Sequence, residues 1–260
     1  MIALLALLAC QTAGGDAAAT EEPAPPPVKA RLVADRSAPA PGAPLVIGVL
    51  YEIPPEWHIY WANPGDSGLA TTASLTAPAG FDAPPEPAYP GPERFVSPGD
   101  ITSYGYEGTA MLLWRLQVPP EAAGPATFTA RTDWLACKQI CVKGGADLSL
   151  TLDGSTPAVD VKPFVEGLPR PLSSLAGLEA RWSEDRTRLE VDIPAAGAVA
   201  LYPDSDTELA LAEHTVTPVG RSARLAMTFK SPARATPGGV VSLRTPAGAT
   251  LFYDLSTLEL

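Results

Sequence analysis

The sequence predicts an all-β protein of two antiparallel β-sandwich domains in tandem after a disordered N-terminal tether. Short apolar runs alternate with polar residues at period two, as half-buried strands do, and no window carries a convincing helical period. The 260 residues include 30 prolines and 22 glycines, one residue in five, which favours many turns over long helices. Hydrophobic residues make up 46% of the chain, enough for a real core.

Residues Met1–Ala9 are apolar and run straight into Cys10. Leu7-Leu8-Ala9-Cys10 resembles the lipobox of bacterial lipoproteins, in which cleavage leaves an N-terminal cysteine that carries lipid. Residues 1–10 are therefore expected to be a lipoprotein signal peptide with Cys10 as its lipidation site. An ordinary signal peptide or a buried strand is the competing reading. Gln11 after the cysteine fits sorting to the outer membrane rather than the inner. Residues 11–28 hold Ala, Gly, Pro and Glu with hardly a large apolar residue, and read as a flexible linker. Nothing later approaches the roughly 18 apolar residues of a membrane helix.

Residues 29–155 form the first expected sandwich. Leu45–Ile53 and Met111–Val118 are its strongest strands; Arg31–Ala34, Ser74–Ala77, Thr127–Leu135 and Leu148–Leu152 are the others. Trp57–Gly68 reads as an aromatic loop closed by the turn residues Asn63-Pro64-Gly65-Asp66. Its Gly65-Asp66-Ser67-Gly68 matches the nucleophile motif of chymotrypsin-like proteases. That chemistry is excluded, because His58 lies too close in the chain to be the catalytic histidine and none precedes it. Tyr89–Tyr106 is a second loop, too long for a plain hairpin turn. Residues 156–178 form a Pro-rich linker with a docking segment, and residues 179–260 a second sandwich. Its expected strands are Leu189–Ile193, Val199–Tyr202, Leu209–Ala212, Leu225–Phe229, Val241–Arg244 and Thr250–Leu255. That half holds no cysteine, and His214 stands alone in it.

The chemistry is concentrated in Arg131–Val142, where Cys137 and Cys141 are the cysteines outside the N-terminus. Residues four apart in an extended strand lie about 13 Å apart. A disulfide needs Cα atoms within roughly 7 Å, so Lys138-Gln139-Ile140 must turn or coil if the two sulfurs are to meet. A loop of about five residues gains only about 2 kcal/mol from chain entropy, against about 4.7 for a hundred-residue loop. A tight pair beside the cation of Lys138 suits a cycling dithiol. The residues leave an inert surface disulfide open as well. Half of a metal site is disfavoured, because only His58 and His214 could add imidazole ligands. Net charge of −11 without a basic cluster argues against nucleic acid as a partner.

These motifs together carry a resemblance. Trp57-His58-Ile59-Tyr60-Trp61, Asn63–Gly68, Pro92-Glu93-Arg94-Phe95, Tyr104-Gly105-Tyr106-Glu107 and Asp133-Trp134-Leu135 followed by Cys137-Lys138-Gln139-Ile140-Cys141 occur in order over Trp57–Val142. This run resembles the N-terminal periplasmic domain of the thiol:disulfide interchange protein DsbD, most of all its ScsB-like branch, which is linked to copper tolerance. The resemblance implies an immunoglobulin-like fold and a redox-active disulfide that passes electrons between a membrane thiol transporter and periplasmic, thioredoxin-like oxidoreductases. It implies that Cys141 forms the mixed disulfide with the partner and Cys137 resolves it. It implies a cap over the pair, with Phe95 the first shield and Tyr104 the second. No cofactor and no metal is expected. The multi-helix membrane domain and the thioredoxin-like domain of the full family protein have no counterpart in these residues, so both partners are expected in trans. The resulting expectation is a periplasmic, membrane-anchored thiol–disulfide oxidoreductase of the protein-disulfide reductase type. The alternative is a non-catalytic β-sandwich lipoprotein that binds an envelope partner.

Expressed in a bacterium with its leader, the protein is expected to fractionate with membranes, and Cys10→Ala to release or mislocalise it. Fractionation with and without the substitution, together with mass analysis for lipid, checks this.

Overall fold

The computed structural model describes residues 27–194 and 197–258; Cys10 and the linker up to Pro26 lie outside them. The first half contains β1 (Lys29–Ala34), β2 (Pro44–Glu52), β3 (His58–Gly65), β4 (Thr72–Thr76), β5 (Glu93–Ser97), β6 (Ile101–Tyr106), β7 (Thr109–Gln117), β8 (Ala126–Cys137) and β9 (Cys141–Leu152). One sheet has the order β1-β2-β7. In the facing sheet β9 pairs along all of β8, whose other edge is shared by β4 and, beyond it, β3; β6 and β5 continue from β3. Every named pairing here is antiparallel.

The apolar runs in β2 and β7 do not alternate, because both faces are covered. Leu45, Ile47, Val49 and Tyr51 of β2 join the sandwich core. Leu50, Met111 and Leu113 face outward and meet Val161 and Leu168 of the connecting segment, which carries the short helix α1 (Lys162–Glu166). The Pro-rich connection therefore docks on the outer face of the small sheet.

The second half contains β10 (Arg170–Pro171), β11 (Glu179–Trp182), β12 (Arg188–Ile193), β13 (Val199–Pro203), α2 (Ser205–Ala210), β14 (Leu211–Val219), β15 (Ser222–Phe229), β16 (Gly239–Arg244) and β17 (Thr250–Asp254). Sheets β10-β17-β16-β13 and β11-β12-β15-β14 enclose a core that includes Leu189, Val191, Ile193, Leu225, Met227 and Val241. All pairs are antiparallel except the two-residue β10 with β17.

Three segments depart from the sequence reading. The aromatic loop is largely strand β3, because Ile59, Trp61 and Asn63 supply buried positions at period two. Tyr89–Tyr106 contains a regular hairpin, β5–β6, turned by Gly99 and Asp100 in left-handed conformations. The strand expected over Leu209–Ala212 is the end of α2 and the start of β14. Asp204 caps that helix by accepting from the Thr207 amide at 2.7 Å, and Asp206 and Glu208 favour its N-terminal turn.

Strand β8 buries its even-numbered residues Phe128, Ala130, Thr132, Trp134 and Ala136. Thr132 is polar in that row, and its hydroxyl donates to the Thr72 carbonyl at 2.8 Å. It therefore accepts from the buried Tyr51 hydroxyl. Burial pushes the Tyr51 phenol well up, which keeps the donor protonated. Thr132→Val removes this bridge and strands the Tyr51 hydroxyl. Denaturant unfolding is expected to show a loss of about 1–3 kcal/mol, partly recovered by adding Tyr51→Phe.

Candidate functional site

Lys138, Gln139 and Ile140 turn β8 into β9, with the Lys138 amide donating to the Ile140 carbonyl at 3.0 Å. The hairpin sets Cys137 directly opposite Cys141. Their Cα atoms are 4.1 Å apart and the sulfurs are bonded. A close antiparallel pair brings side chains near enough to join without any coil between them.

Alternation decides how each sulfur meets solvent. Cys137 is odd-numbered and so projects from the face of β8 turned away from the core. Its companions there, Thr129, Arg131 and Asp133, are exposed. Cys137 is only 3% exposed, whereas Cys141, on the same face, is open to solvent. The cover is therefore local to Cys137.

His58 is the cross-strand neighbour of Cys137 on the opposite edge. Its ring stacks on Phe95 of the β5–β6 hairpin, with centroids 4.9 Å apart. It meets Tyr60 edge-on at 5.1 Å, and its Nε2 lies 3.3 Å from the Tyr60 hydroxyl. Burial lowers the His58 pKa and outweighs the opposing field of Glu107, so the imidazole is neutral at pH 7. The turn after β3 folds over the same face: a Cβ on Gly68 would lie 2.3 Å from the Tyr60 ring. Asp66 ties that turn to the hairpin, its amide donating to the Thr102 carbonyl and its carboxylate accepting from the Thr102 amide, both at 2.8 Å.

Beneath the pair, Trp134 packs against the backbone of β9. A side chain at Gly144 would enter the indole at 2.3 Å, so this strand needs glycine there. Lys138 does not stand as an isolated cation beside the thiols. Its Nζ lies 2.6 Å from a Glu56 carboxylate oxygen.

Phe95 thus sits beside His58 on the outer face. Tyr104 lies on the other face of its hairpin, 94% buried, edge-to-face with Trp61 at 6.4 Å and with Tyr202 of the second sandwich at 5.4 Å. Burial, with Glu208 nearby, pushes the Tyr104 phenol up to about 12. His214 is exposed on β14 and borders a cleft with Arg94 and Glu208. Among the described residues no three His, Cys, Asp or Glu side chains gather as metal ligands, and no helix is long and apolar enough to cross a membrane. The sequence reading did not single out His58 or Glu56 as neighbours of the cysteines. The signal for His58 was its alternation with Ile59, Tyr60 and Trp61, which marks a strand and puts His58 and Tyr60 on one face.

The fold and site define a class: an immunoglobulin-like β-sandwich with a hairpin disulfide at the end of its larger sheet. Residues 29–153 match the family described as thiol:disulfide interchange protein DsbD, N-terminal, and the first sandwich is a DsbD N-terminal-like domain. The crystal structure of the N-terminal periplasmic domain of ScsB from Proteus mirabilis aligns over 87% of this chain and 92% of its own, at 16% identity and a TM-score of 0.58. That likeness is one of fold and extends through both sandwiches. The periplasmic chaperone SfaE aligns over 86% of this chain and 97% of its own at 8% identity, but its TM-score of 0.22 carries no argument. No curated protein matches the sequence.

Phe95 stacks on His58, the cross-strand neighbour of the covered Cys137. Phe95→Ala is expected to speed alkylation of the reduced cysteines several-fold, mostly at Cys137, with little change in stability. Timed alkylation read by peptide mass checks this.

Proposed function

We propose that the protein exchanges thiols and disulfides in the periplasm through Cys137 and Cys141. The observation that carries this reading is the unequal burial of one bonded pair. A structural clip has no use for one open and one covered sulfur on the same face, whereas exchange needs one sulfur that a partner can reach.

In the reduced protein, the Cys141 thiolate attacks a partner disulfide and expels one partner thiolate, leaving a mixed disulfide at Cys141. The Cys137 thiolate then attacks the Cys141 sulfur, restores the Cys137–Cys141 bond and expels the second partner thiolate. Two electrons and two protons pass to the partner. The reverse sequence reloads the pair from an electron donor. The family match supports thioredoxin-like proteins as partners on one side, and a membrane thiol transporter in trans on the other. Phe95 shields the resting pair. Cys10 supplies a lipid anchor, and Gln11 after it favours the outer membrane.

The reduction potential of the pair is expected well above about −300 mV, the region below which structural disulfides sit. Cys137→Ala is expected to trap a mixed disulfide through Cys141 with a thioredoxin-like protein, and Cys141→Ala far less. Redox titration and non-reducing mass analysis of the complexes test this. A potential below that threshold with no trapping by either variant would leave the inert-clip lipoprotein as the better account.

A further inference from the structure

We propose that the second sandwich braces the β5–β6 hairpin, and that Tyr202 and Glu208 are positioning residues that set how often Phe95 lifts from the covered sulfur. The inference rests on the exchange reading above and assigns its regulation to a domain without cysteines.

The argument begins with the alternation of β5 and β6. Arg94 pairs with Tyr104 and Phe95 with Ser103. Directly opposed residues share a face and successive residues change faces. One face of the hairpin therefore presents Phe95 to His58, while the other presents Tyr104 to the second sandwich. Tyr104 is caught there between Trp61 and Tyr202. The root of the hairpin is fixed on the same side. The Gly91 amide donates to the Gly167 carbonyl at 3.1 Å, and a side chain at Gly91 would lie 2.0 Å from the Phe252 ring.

Strand β3 repeats the arrangement. His58 and Tyr60 lie on the same face as Phe95, while Trp61 and Asn63 belong to the opposite row with Tyr104. The buried Asn63 amide nitrogen donates to the Pro203 carbonyl at 2.9 Å and to Glu208 at 2.5 Å. Its own oxygen accepts from the Gly65 amide at 3.0 Å, at the turn that Asp66 ties to the hairpin. Tyr202 and Val240 of the second sandwich are counted in the core of the first, so these contacts are part of one packed cluster.

Outside that cluster the hold is sparse. A cleft of about 410 Å³ separates Arg94 and Thr102 of the hairpin from Val199, Glu208 and His214. A hairpin held by a few discrete contacts opens as a unit when they break. Opening of the hairpin carries Phe95 and Tyr104 together on paired strands, so losing the Tyr202 contact lowers the cost of that motion.

The test uses the full chain in its reduced form and iodoacetamide, a small alkylating agent whose attack on a thiolate needs no protein partner. Alkylation rates at Cys137, read by peptide mass, are compared for Phe95→Ala, Tyr202→Ala, Glu208→Ala, Tyr202→Phe and the Phe95→Ala/Tyr202→Ala double variant, with folding checked by circular dichroism. Tyr202→Ala is expected to speed alkylation of Cys137 about two- to tenfold, the scale on which one edge-to-face aromatic pair shifts an opening equilibrium. Tyr202→Phe, which keeps the ring, is expected to stay within about twofold of the parent on the same scale. In the Phe95→Ala background, Tyr202→Ala is expected to add nothing, because the cover is already gone. Should Tyr202→Ala fail to fold, Glu208→Ala carries the same comparison. Folded variants with unchanged rates, or a double variant whose gains multiply, would overturn the brace. Failure of the exchange reading would appear elsewhere, as a low potential without trapped partners, while these access rates stayed measurable.

Discussion

The period-two register of β8 is the constraint from which the site follows. Shifting the strand by one residue would carry Cys137 into the core and turn Trp134 and Ala136 out to solvent. The register is fixed from the inward face. Thr132 is tied to Tyr51 in the opposite sheet and to Thr72 on the adjacent strand, and Trp134 fits only where β9 offers Gly144. Hydrogen bonds and shape complementarity on the buried side thus determine the chemistry available on the other.

The same rule gives β3 and the β5–β6 hairpin two tasks each. His58, Tyr60 and Phe95 lie on the face that carries the cysteines, while Trp61, Asn63 and Tyr104 build the junction with the second sandwich. Strand geometry leaves few ways to move one face without the other. The face that carries the cysteines and the face that joins the domains are consequently built on the same strands. The docked connection supports the arrangement from behind, because Val161 and Leu168 bury the outward row of β2 and β7.

Much of this was legible in the sequence, for reasons that differ by element. Strands such as Leu189–Ile193 alternate cleanly because one face is solvated. The continuous runs of β2 and β7 were read as strands without revealing that α1 and its flanks cover their second face. Strand β3 was obscured by Asn63-Pro64-Gly65-Asp66, whose turn chemistry is real but closes the strand rather than replacing it. Helix α2 was hidden because one turn of helix leaves too short a period to detect, though Asp204 at the cap was a visible cue. The spacing of the cysteines showed that a turn between them could bring the sulfurs together, and left an exchange pair and an inert clip both open. The contact between Tyr104 and Tyr202 was not, since residues 98 apart in the chain share no local pattern.

Desolvation sets the two sulfurs apart more than charge does. Lys138 lies next to Cys137 in the chain, yet Glu56 already neutralises much of its field, and an exposed ion pair of this kind is worth about 0–1 kcal/mol. The short loop contributes little chain entropy to holding the bond closed. What distinguishes the two sulfurs is access to water. A negative charge left on Cys137 would be carried largely out of solvent, whereas one on Cys141 would be hydrated. In the exchange proposed above, exposure would make Cys141 the sulfur that attacks in the reduced protein and the sulfur that is attacked in the oxidised one. On that proposal both directions of exchange converge on the same atom, and Cys137 is left to close or release the bond.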